Sequence, residues 1–270
     1  MKRDLILAER EGLIGTISIN NPAKNNAVNK EMFDKIDETL REMEEEKIRV
    51  VIIKGGGDSK FFSSGFDIGT FSDHIPPPKE TLQETMEKYE KDHYKVSLRT
   101  IESIGMPVIA MINGHCIGAG ADISAACDFR YAASGLKIGL PPVKINIIYN
   151  EEGIGRFIRA VGLARAKELF FLGNYISSEE AYAMGFINKV LPREELEEFT
   201  MGIARSLTEV APLALRGMKR VFSYFIEQQR LSKERVEDAT RLIVEAMRSE
   251  DLVEAVEAFM QKRKPVYKGR

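Results

Sequence analysis

The spacing of apolar residues divides the chain into two parts. Before residue 194, short apolar runs alternate with amphipathic segments, and the strand-like runs are residues 13–20, 50–54, 108–112 and 129–132. Segment 29–46 places its apolar residues on one helical face: Met32, Phe33, Ile36, Leu40 and Met43. This alternation predicts an α/β core.

After about residue 194 the pattern is helical throughout. Pro212 begins one predicted helix, residues 231–247 carry apolar side chains near helical spacing, and residues 252–260 form a further helix. These amphipathic helices either pack on a core of their own or form an interface between subunits. The periodicity does not choose between the two.

Composition narrows the class of protein. The 270 residues are 44% hydrophobic and 30% charged, with a net charge of −2, which is typical of a globular protein in water and disfavours a dedicated nucleic-acid binder. No run approaches the roughly 18 apolar residues that cross a bilayer. The first residues are charged early and lack a long apolar segment, so we expect no export signal and a cytoplasmic location.

Cysteine and histidine positions indicate neither a disulfide framework nor a metal site. Cys116 and Cys127 lie in apolar surroundings, which predicts buried free thiols in a reducing compartment. His74, His93 and His115 have no metal-ligand spacing, so we expect no metal.

A glycine-rich turn at residues 113–122 (NGHCIGAGAD) joins a predicted strand to a predicted apolar helix. Its glycines permit a tight turn and the close approach of a ligand. The first amides of the helix point at whatever occupies the turn. This geometry suits an oxyanion, and an ordinary glycine-rich turn is the alternative.

A second glycine loop follows the predicted strand at residues 50–53. The segment at residues 61–68 (FFSSGFDI) comes after this loop. Two such strand-then-loop units can each donate one backbone amide to the same oxygen atom. We therefore predict that the N–H groups of Phe66 and Ala119 form an oxyanion hole. In the alternative interpretation, Phe66 only packs and Ala119 only fills the helix.

With these two loops the chain resembles the crotonase (enoyl-CoA hydratase/isomerase) superfamily. The matching segments keep the family's order over nearly the whole chain: residues 21–27, 63–68, 113–128, 161–166 and 258–265. The resemblance implies a spiral of ββα units over residues 1–193 and a helical trimerisation region over residues 194–270. It also implies an acyl-CoA thioester as substrate, no cofactor beyond the coenzyme A that the substrate contains, and a homotrimer or homohexamer.

The family's hydratases hold a water between an acid and a base, usually a glutamate pair. One of these positions falls on Asp122, and the other falls on Pro142, which has no titratable group. The resemblance therefore argues against the usual hydratase mechanism. It argues equally against the isomerase mechanism that uses the same second glutamate.

Pro142 followed by Tyr149 resembles the methylmalonyl-CoA decarboxylase branch of the family, which has proline at the lost glutamate position and a tyrosine in its active site. Decarboxylation needs a stabilised enolate and a group, such as a tyrosine hydroxyl, that bonds the carboxylate or returns a proton. The chain departs from that branch at three positions, with Phe66 for histidine, Pro141 for threonine and Asp122 for glutamate. A core aromatic role is the alternative for Tyr149.

The two residues that follow Tyr149, Asn150 and Glu151, are also candidates for a chemical role. Glu151 is a candidate acid or base if its side chain turns inward, although two adjacent acids favour the alternative of a solvated pair with Glu152. Asn150 aligns with the nucleophilic aspartate of the chlorobenzoyl-CoA dehalogenase branch, but an amide is a poor nucleophile.

The resemblance assigns six residues to coenzyme A: Lys24 and Ala27 along its arm, Ser64, Asp67 and Ile68 near the adenine, and Lys262 near a phosphate. A basic side chain beside a phosphate is electrostatically favourable. An exposed charged tail is the alternative for Lys262. At Ser64, Asp67 and Ile68 the resemblance concerns the backbone, and we expect the Asp67 side chain to shape the loop after Phe66 and not to titrate in catalysis.

Three hypotheses result. The first is a lyase that decarboxylates a malonyl-type CoA thioester through an enolate. The second is an enoyl-CoA hydratase or isomerase of fatty-acid or related acyl-CoA metabolism, which acts through Asp122 with Glu151 or a water. The third is a non-enzymatic RNA-binding protein, since the same fold has been put to that use, although the net charge weighs against it.

Overall fold

The computed structural model describes residues 4–67, 69, 77 and 79–270. The described residues form ten strands: β1 Ile6–Glu11, β2 Ile14–Ile19, β3 Val50–Gly55, β4 Phe61–Ser63, β5 Val108–Ile112, β6 His115–Ile117, β7 Phe129–Ala133, β8 Lys137–Gly139, β9 Tyr175–Ser177 and β10 Lys189–Leu191.

The same part of the chain forms ten α-helices: α1 Lys30–Glu45, α2 Leu82–Glu90, α3 His93–Ser103, α4 Ala119–Ala126, α5 Glu151–Leu172, α6 Ser178–Ala183, α7 Arg193–Glu209, α8 Pro212–Gln228, α9 Lys233–Met247 and α10 Glu250–Met260. Short 3₁₀ helices lie at Pro22–Lys24 and Pro142–Ile145.

The strands form two sheets. The larger has the order β1-β2-β3-β5-β7-β10 and is parallel except where β1 meets β2. The smaller has the order β4-β6-β8-β9, with β8 and β9 antiparallel. In the described residues the chain repeatedly passes from a strand of the larger sheet to a strand of the smaller sheet and then into helix. The predicted α/β fold, a spiral of ββα units, is confirmed.

The central strands of the larger sheet were predicted nearly to the residue. β3 and β5 are buried on both faces, and strands covered on both faces read as continuous apolar runs. β1 was not predicted, because Ile6 is buried and the residues after it in the strand are exposed. The strands of the smaller sheet are too short to produce a pattern.

The first helix has the boundaries and the buried face that its sequence predicts. Asn29 caps α1, since its side chain accepts a hydrogen bond from the Met32 amide at 3.1 Å. All five predicted apolar residues of this face are buried. α1 packs on α3, and this pair of helices supports one side of the site described below.

The C-terminal helices play two different structural parts. α7 packs across β3, β5 and β7 of the larger sheet, with Leu196 and Ala204 buried. α8 instead exposes apolar side chains, among them Leu213, Phe222 and Phe225. An exposed apolar helix face is typical of an interaction surface. The role of residues 194–270 in oligomerisation stays a prediction.

α9 and α10 return to the region of the 3₁₀ helix at Pro142–Ile145. α10 packs on this 3₁₀ helix, and Asn146 donates to Ser249 Oγ at 2.8 Å in the turn between α9 and α10. The Tyr267 hydroxyl donates to the Lys144 carbonyl at 2.7 Å. The last part of the chain therefore holds a loop that the sequence marks as part of the candidate site.

The predictions for the cysteines, for His115 and for membrane-spanning segments can also be compared with the structure. Cys116 and Cys127 are buried and free, as predicted, and burial raises the pKa of the Cys116 thiol to about 12. His115 Nδ1 accepts a hydrogen bond from the Lys137 amide at 3.0 Å, which gives this histidine a structural partner. None of the described helices is both long enough and apolar enough to cross a membrane.

Candidate active site

The two glycine turns meet. Gly65 has φ +99° and Gly118 has φ +55°, conformations that L side chains rarely adopt. A Cβ on Gly65 would lie 3.1 Å from the Ile117 carbonyl oxygen and 3.4 Å from the Ala119 nitrogen. A side chain on Gly65 would push the turns apart, whereas at Gly118 it is the positive φ that favours glycine. Glycine therefore lets the backbone on either side of Phe66 and Ala119 come together.

Backbone pairing fixes the orientation of both amides. Val28 forms a parallel bridge to Phe66, in which the Val28 N–H donates to the Gly65 carbonyl and the Val28 carbonyl accepts from the Asp67 N–H, each at 2.8 Å. In such a bridge the Phe66 N–H points away from Val28. Ala119 is the first residue of α4, and the amides of a first helical turn have no partner within the helix.

Both predicted oxyanion donors line one cavity of about 240 Å³. Tyr149 and Glu151 line the same cavity. Most of the wall is apolar and includes Ile117, Pro141, Pro142, Ile145, Ile147, Ile148, Ile243 and Met247. The structure thus brings four of the five predicted catalytic residues to one apolar space.

α9 closes one side of this cavity. Ile243 and Met247 contribute to its lining, and the Tyr89 hydroxyl of α2 donates to Met247 Sδ at 3.2 Å. From the sequence, α9 was predicted only to lie in an interface or to pack on a core of its own. The structure adds the wall of the cavity to these assignments.

Tyr149 is fixed by packing and by a hydrogen bond. Its ring lies 5.2 Å from the ring of Phe170, and its hydroxyl lies 3.0 Å from the Tyr94 hydroxyl. Gly153 leaves the space that the ring occupies, because a Cβ there would come within 2.4 Å of Tyr149 Cε1. The alternative of a core aromatic with its hydroxyl at the surface does not match this placement.

Asp122 lies behind the two tyrosines. Its side chain has no exposure, it accepts a hydrogen bond from the Tyr94 hydroxyl, and it forms an ion pair with Arg156 at 3.3 Å. Its position on the inner side of α4 keeps it out of the described lining of the cavity. Asp122 therefore meets the cavity through its hydrogen bond with Tyr94, which lines it.

Both tyrosines stay protonated at neutral pH. Burial, followed by the charge of Asp122, raises the pKa of Tyr94 well above 10, and the same two causes raise that of Tyr149. Burial and a neighbouring carboxylate both favour the neutral form of a phenol, and for Tyr149 they outweigh the opposing charge of Arg156. Tyr149 is therefore available as a hydrogen-bond donor and as a proton source.

Glu151 is not part of a solvated pair. It forms an ion pair with Lys95 at 2.8 Å, and both side chains are almost fully buried. Glu152 lies apart from it and pairs with Arg99 and Arg156. The alternative of a solvated pair was therefore wrong. Among the described residues of the lining, the carboxylates are those of Asp92 and Glu151.

Asn150 has a structural role. It caps α5, since its side-chain oxygen accepts from the Gly153 amide at 2.8 Å. This bond fixes the first turn of α5, where Glu151 begins the helix. At the position that aligns with the nucleophile of the dehalogenase branch, this chain therefore has the N-cap residue of α5.

The residues predicted to hold coenzyme A lie on two touching loops. Lys24 pairs with Asp67 at 2.6 Å, and the Ser64 hydroxyl donates to the Lys24 carbonyl at 3.2 Å. Ala27 belongs to the first of these loops, since its amide donates to the Lys24 carbonyl at 3.0 Å. Asp67 also accepts from the Gly69 amide, so it shapes its own loop.

The structure places neither of the other two residues predicted to bind coenzyme A on these loops. Ile68 lies outside the described residues, as do most of residues 69–79. Lys262 is exposed beyond the end of α10 with φ 53°. These assignments stay predictions.

The sequence pattern of the enoyl-CoA hydratase/isomerase family matches residues 9–270. The chain belongs to this crotonase family. It is 30% identical over 259 residues to methylmalonyl-CoA decarboxylase of Escherichia coli, which covers 95% of each chain. It is also 30% identical over 264 residues to short-chain-enoyl-CoA hydratase of Clostridium acetobutylicum, which covers 98% of this chain and 97% of that relative.

A solved structure of methylmalonyl-CoA decarboxylase complexed with 2S-carboxypropyl CoA superposes with a TM-score of 0.89 and 28% identity over the full length of both chains. As a crotonase, the chain is an enzyme of acyl-CoA chemistry. The names of these relatives include different reactions at nearly equal identity. The family therefore gives the chemical class, and the reaction has to be argued from the cavity.

Tyr94 is one residue of this crotonase site that the sequence does not indicate. It is the second residue of α3, where Asp92 caps the helix by accepting from the Tyr94 amide at 2.9 Å. A tyrosine one residue into an amphipathic helix carries no motif. The signal that places it in the site is its contact with Asp122 and Tyr149, which lie far from it in the sequence.

Proposed function

We propose that this crotonase decarboxylates a malonyl-type CoA thioester. The observation that carries the proposal is the combination at one cavity of two backbone amides, at Phe66 and Ala119, with the neutral hydroxyl of Tyr149. The position of the second hydratase glutamate is Pro142, which also lines this cavity. The similarity to methylmalonyl-CoA decarboxylase supports the same reaction.

In the proposed reaction the thioester oxygen binds between the Phe66 and Ala119 amides. The bond between the α-carbon and the carboxylate breaks, carbon dioxide leaves, and the electron pair forms an enolate whose charge lies on the thioester oxygen. Donors aimed at the site of developing charge lower the barrier, and each is typically worth about 3–4 kcal/mol. The proposed reaction uses no cofactor beyond the coenzyme A in the substrate.

Tyr149 completes the reaction. Its hydroxyl transfers a proton to the α-carbon of the enolate, and the phenolate recovers a proton from solvent. A neutral phenol with a pKa raised by burial is a weak enough acid to remain protonated until the enolate forms. We assign Asp122 no direct contact with the substrate in this reaction.

The test is to mix the protein with methylmalonyl-CoA or ethylmalonyl-CoA and to follow the thioester products by mass spectrometry. We expect release of carbon dioxide and a product lighter by that group. Tyr149→Phe should lower turnover at least about tenfold and leave coenzyme binding intact. The proposal fails if no substituted malonyl-CoA loses carbon dioxide.

The oxyanion hole has its own test. Ala119→Pro removes one N–H at a first helical position, where proline is tolerated, and we expect turnover to fall by about 100-fold or more. Arg193→Pro is the matched control, because it places proline at the same position of α7, away from the described lining. Equal activity of the two variants would remove Ala119 from the oxyanion hole.

A second candidate function is hydration or isomerisation of an enoyl-CoA, which Glu151 supports. Its carboxylate lines the cavity and is held by Lys95 at 2.8 Å, so a water between Glu151 and the substrate would have a base. Hydration of crotonyl-CoA that is abolished by Glu151→Gln, together with no loss of carbon dioxide from malonyl-type thioesters, would favour this function.

The assembly is a further part of the proposal. The exposed apolar face of α8 supports a homotrimer or homohexamer, and the molar mass in solution by light scattering tests it. A monomer at all concentrations would contradict this assembly.

A further inference from the structure

Tyr94 touches both halves of the site. Its ring packs edge-on against Phe33, with centroids 5.1 Å apart, and lies 5.6 Å from the ring of Phe66. Its hydroxyl contacts Asp122 and Tyr149. One side chain thus connects the loop that carries Phe66 to Tyr149, and both tyrosines line the cavity.

The order of the hydrogen bonds follows from the chemistry of the groups. Asp122 is ion-paired with Arg156, so its carboxylate accepts hydrogen bonds and cannot donate them. Tyr94 has one hydroxyl proton, which it donates to Asp122. The bond between the two phenols, at 3.0 Å, is therefore donated by Tyr149 to the Tyr94 oxygen.

In the absence of substrate this order fixes the Tyr149 oxygen and its proton. To serve the substrate, the O–H turns away from the Tyr94 oxygen by rotation about the C–O bond, while the Tyr149 oxygen stays in place. The carboxylate of Asp122 is held by a buried arginine, whose side chain is 2% exposed, so the acceptor does not move. Because Tyr94 is held by this acceptor and by two aromatic contacts, its oxygen is a stationary partner for Tyr149. Preorganised groups of this kind lower the cost of reaching the reactive geometry.

We propose that Tyr94 is a positioning residue, which holds the Tyr149 hydroxyl at the place from which it serves the substrate. The inference rests on the proposed function, in which Tyr149 returns the proton to the α-carbon. Tyr94 itself does not transfer a proton to the substrate in this scheme. Its contribution passes through Tyr149.

The test is a double-mutant cycle with kcat and KM for ethylmalonyl-CoA. Tyr94→Phe keeps the ring contacts and removes the hydroxyl, and we expect kcat to fall about tenfold with KM changed less than about twofold. In a Tyr149→Phe background the same substitution should change kcat by less than about twofold, because its target is gone. Equal losses in the two backgrounds, or no loss in either, overturn the inference.

The matched control is Tyr131→Phe. Tyr131 is buried in β7 with 7% exposure, and it lies outside the described lining of the cavity, so we expect unchanged kcat. If Tyr94→Phe does not fold, Asp122→Asn serves instead, since it removes the charged acceptor of the Tyr94 proton and keeps the side-chain shape. It should also lower kcat about tenfold, and an unchanged kcat overturns the inference.

A crystallographic readout separates this inference from the proposed function. In crystals with butyryl-CoA, the wild-type Tyr149 hydroxyl should occupy one position beside Tyr94, and in Tyr94→Phe it should move or occupy several positions. An unchanged single position overturns the inference, whichever reaction the enzyme catalyses. If the wild-type enzyme decarboxylates no malonyl-type thioester but the crystals show this difference, the proposed function is wrong and the positioning role of Tyr94 stands.

Discussion

Replacing Gly153 with alanine tests whether the placement of the Tyr149 ring matters. The new Cβ would lie 2.4 Å from Tyr149 Cε1 and 2.6 Å from Cδ1. Carbon atoms in contact lie about 3.5–4.0 Å apart, so the ring has to move by roughly 1 Å or more. The hydroxyl, now 3.0 Å from that of Tyr94, then loses its hydrogen bond.

The expected effect is on activity more than on stability. A misplacement of about 1 Å can lower turnover by about 100-fold. Alanine in place of glycine within a helix stabilises by about 1 kcal/mol, while overpacking costs about 1–3 kcal/mol. We therefore expect kcat for a substituted malonyl-CoA to fall by about 100-fold and the free energy of unfolding to fall by at most about 2 kcal/mol.

The control is Gly202→Ala in α7. A Cβ at Gly202 meets no described heavy atom within 4 Å, so this variant isolates the effect of helix propensity. It should keep full activity and gain up to about 1 kcal/mol in urea unfolding. If Gly153→Ala retains wild-type turnover, the position of the Tyr149 ring is not required for the reaction and the reasoning is refuted.

Three further predictions concern the buried charges, pH and acyl length. Arg156→Met should destabilise the fold by about 3–5 kcal/mol in urea unfolding, because it leaves Asp122 uncompensated. Because the pKa values of Tyr94 and Tyr149 are raised by burial and then by Asp122, the stability they contribute is complete below pH about 10 and decreases above it. Phenylalanine at either position should reduce this alkaline loss in thermal unfolding scans. Met247→Ala should tighten binding of longer saturated acyl-CoA esters, by up to about 0.8 kcal/mol per added methylene in calorimetry.

The sequence predicted the parts of this molecule whose cause is local. Continuous apolar runs gave β3 and β5, since both strands are buried on both faces. The glycines of residues 113–122 indicated the turn before Ala119, because only glycine suits the backbone of Gly118. Both inferences need information from a few neighbouring residues only.

The parts that were missed depend on residues distant in the sequence. Tyr94 belongs to the site because of Asp122 and Tyr149, which come from other helices and loops. Glu151 is buried because Lys95 of α3 neutralises it. A pattern of two adjacent acids is equally typical of a solvated helix start, so no reading of neighbouring residues gives this pairing.

Because α9 supplies Ile243 and Met247 to the cavity, its wall joins residues 64–151 to a helix that is synthesised much later. A nascent chain whose sheets have already formed still has an open pocket until α9 leaves the ribosome and docks. The cavity is thus completed late in synthesis, and a chain that lacks the docked helix leaves its apolar wall open to water.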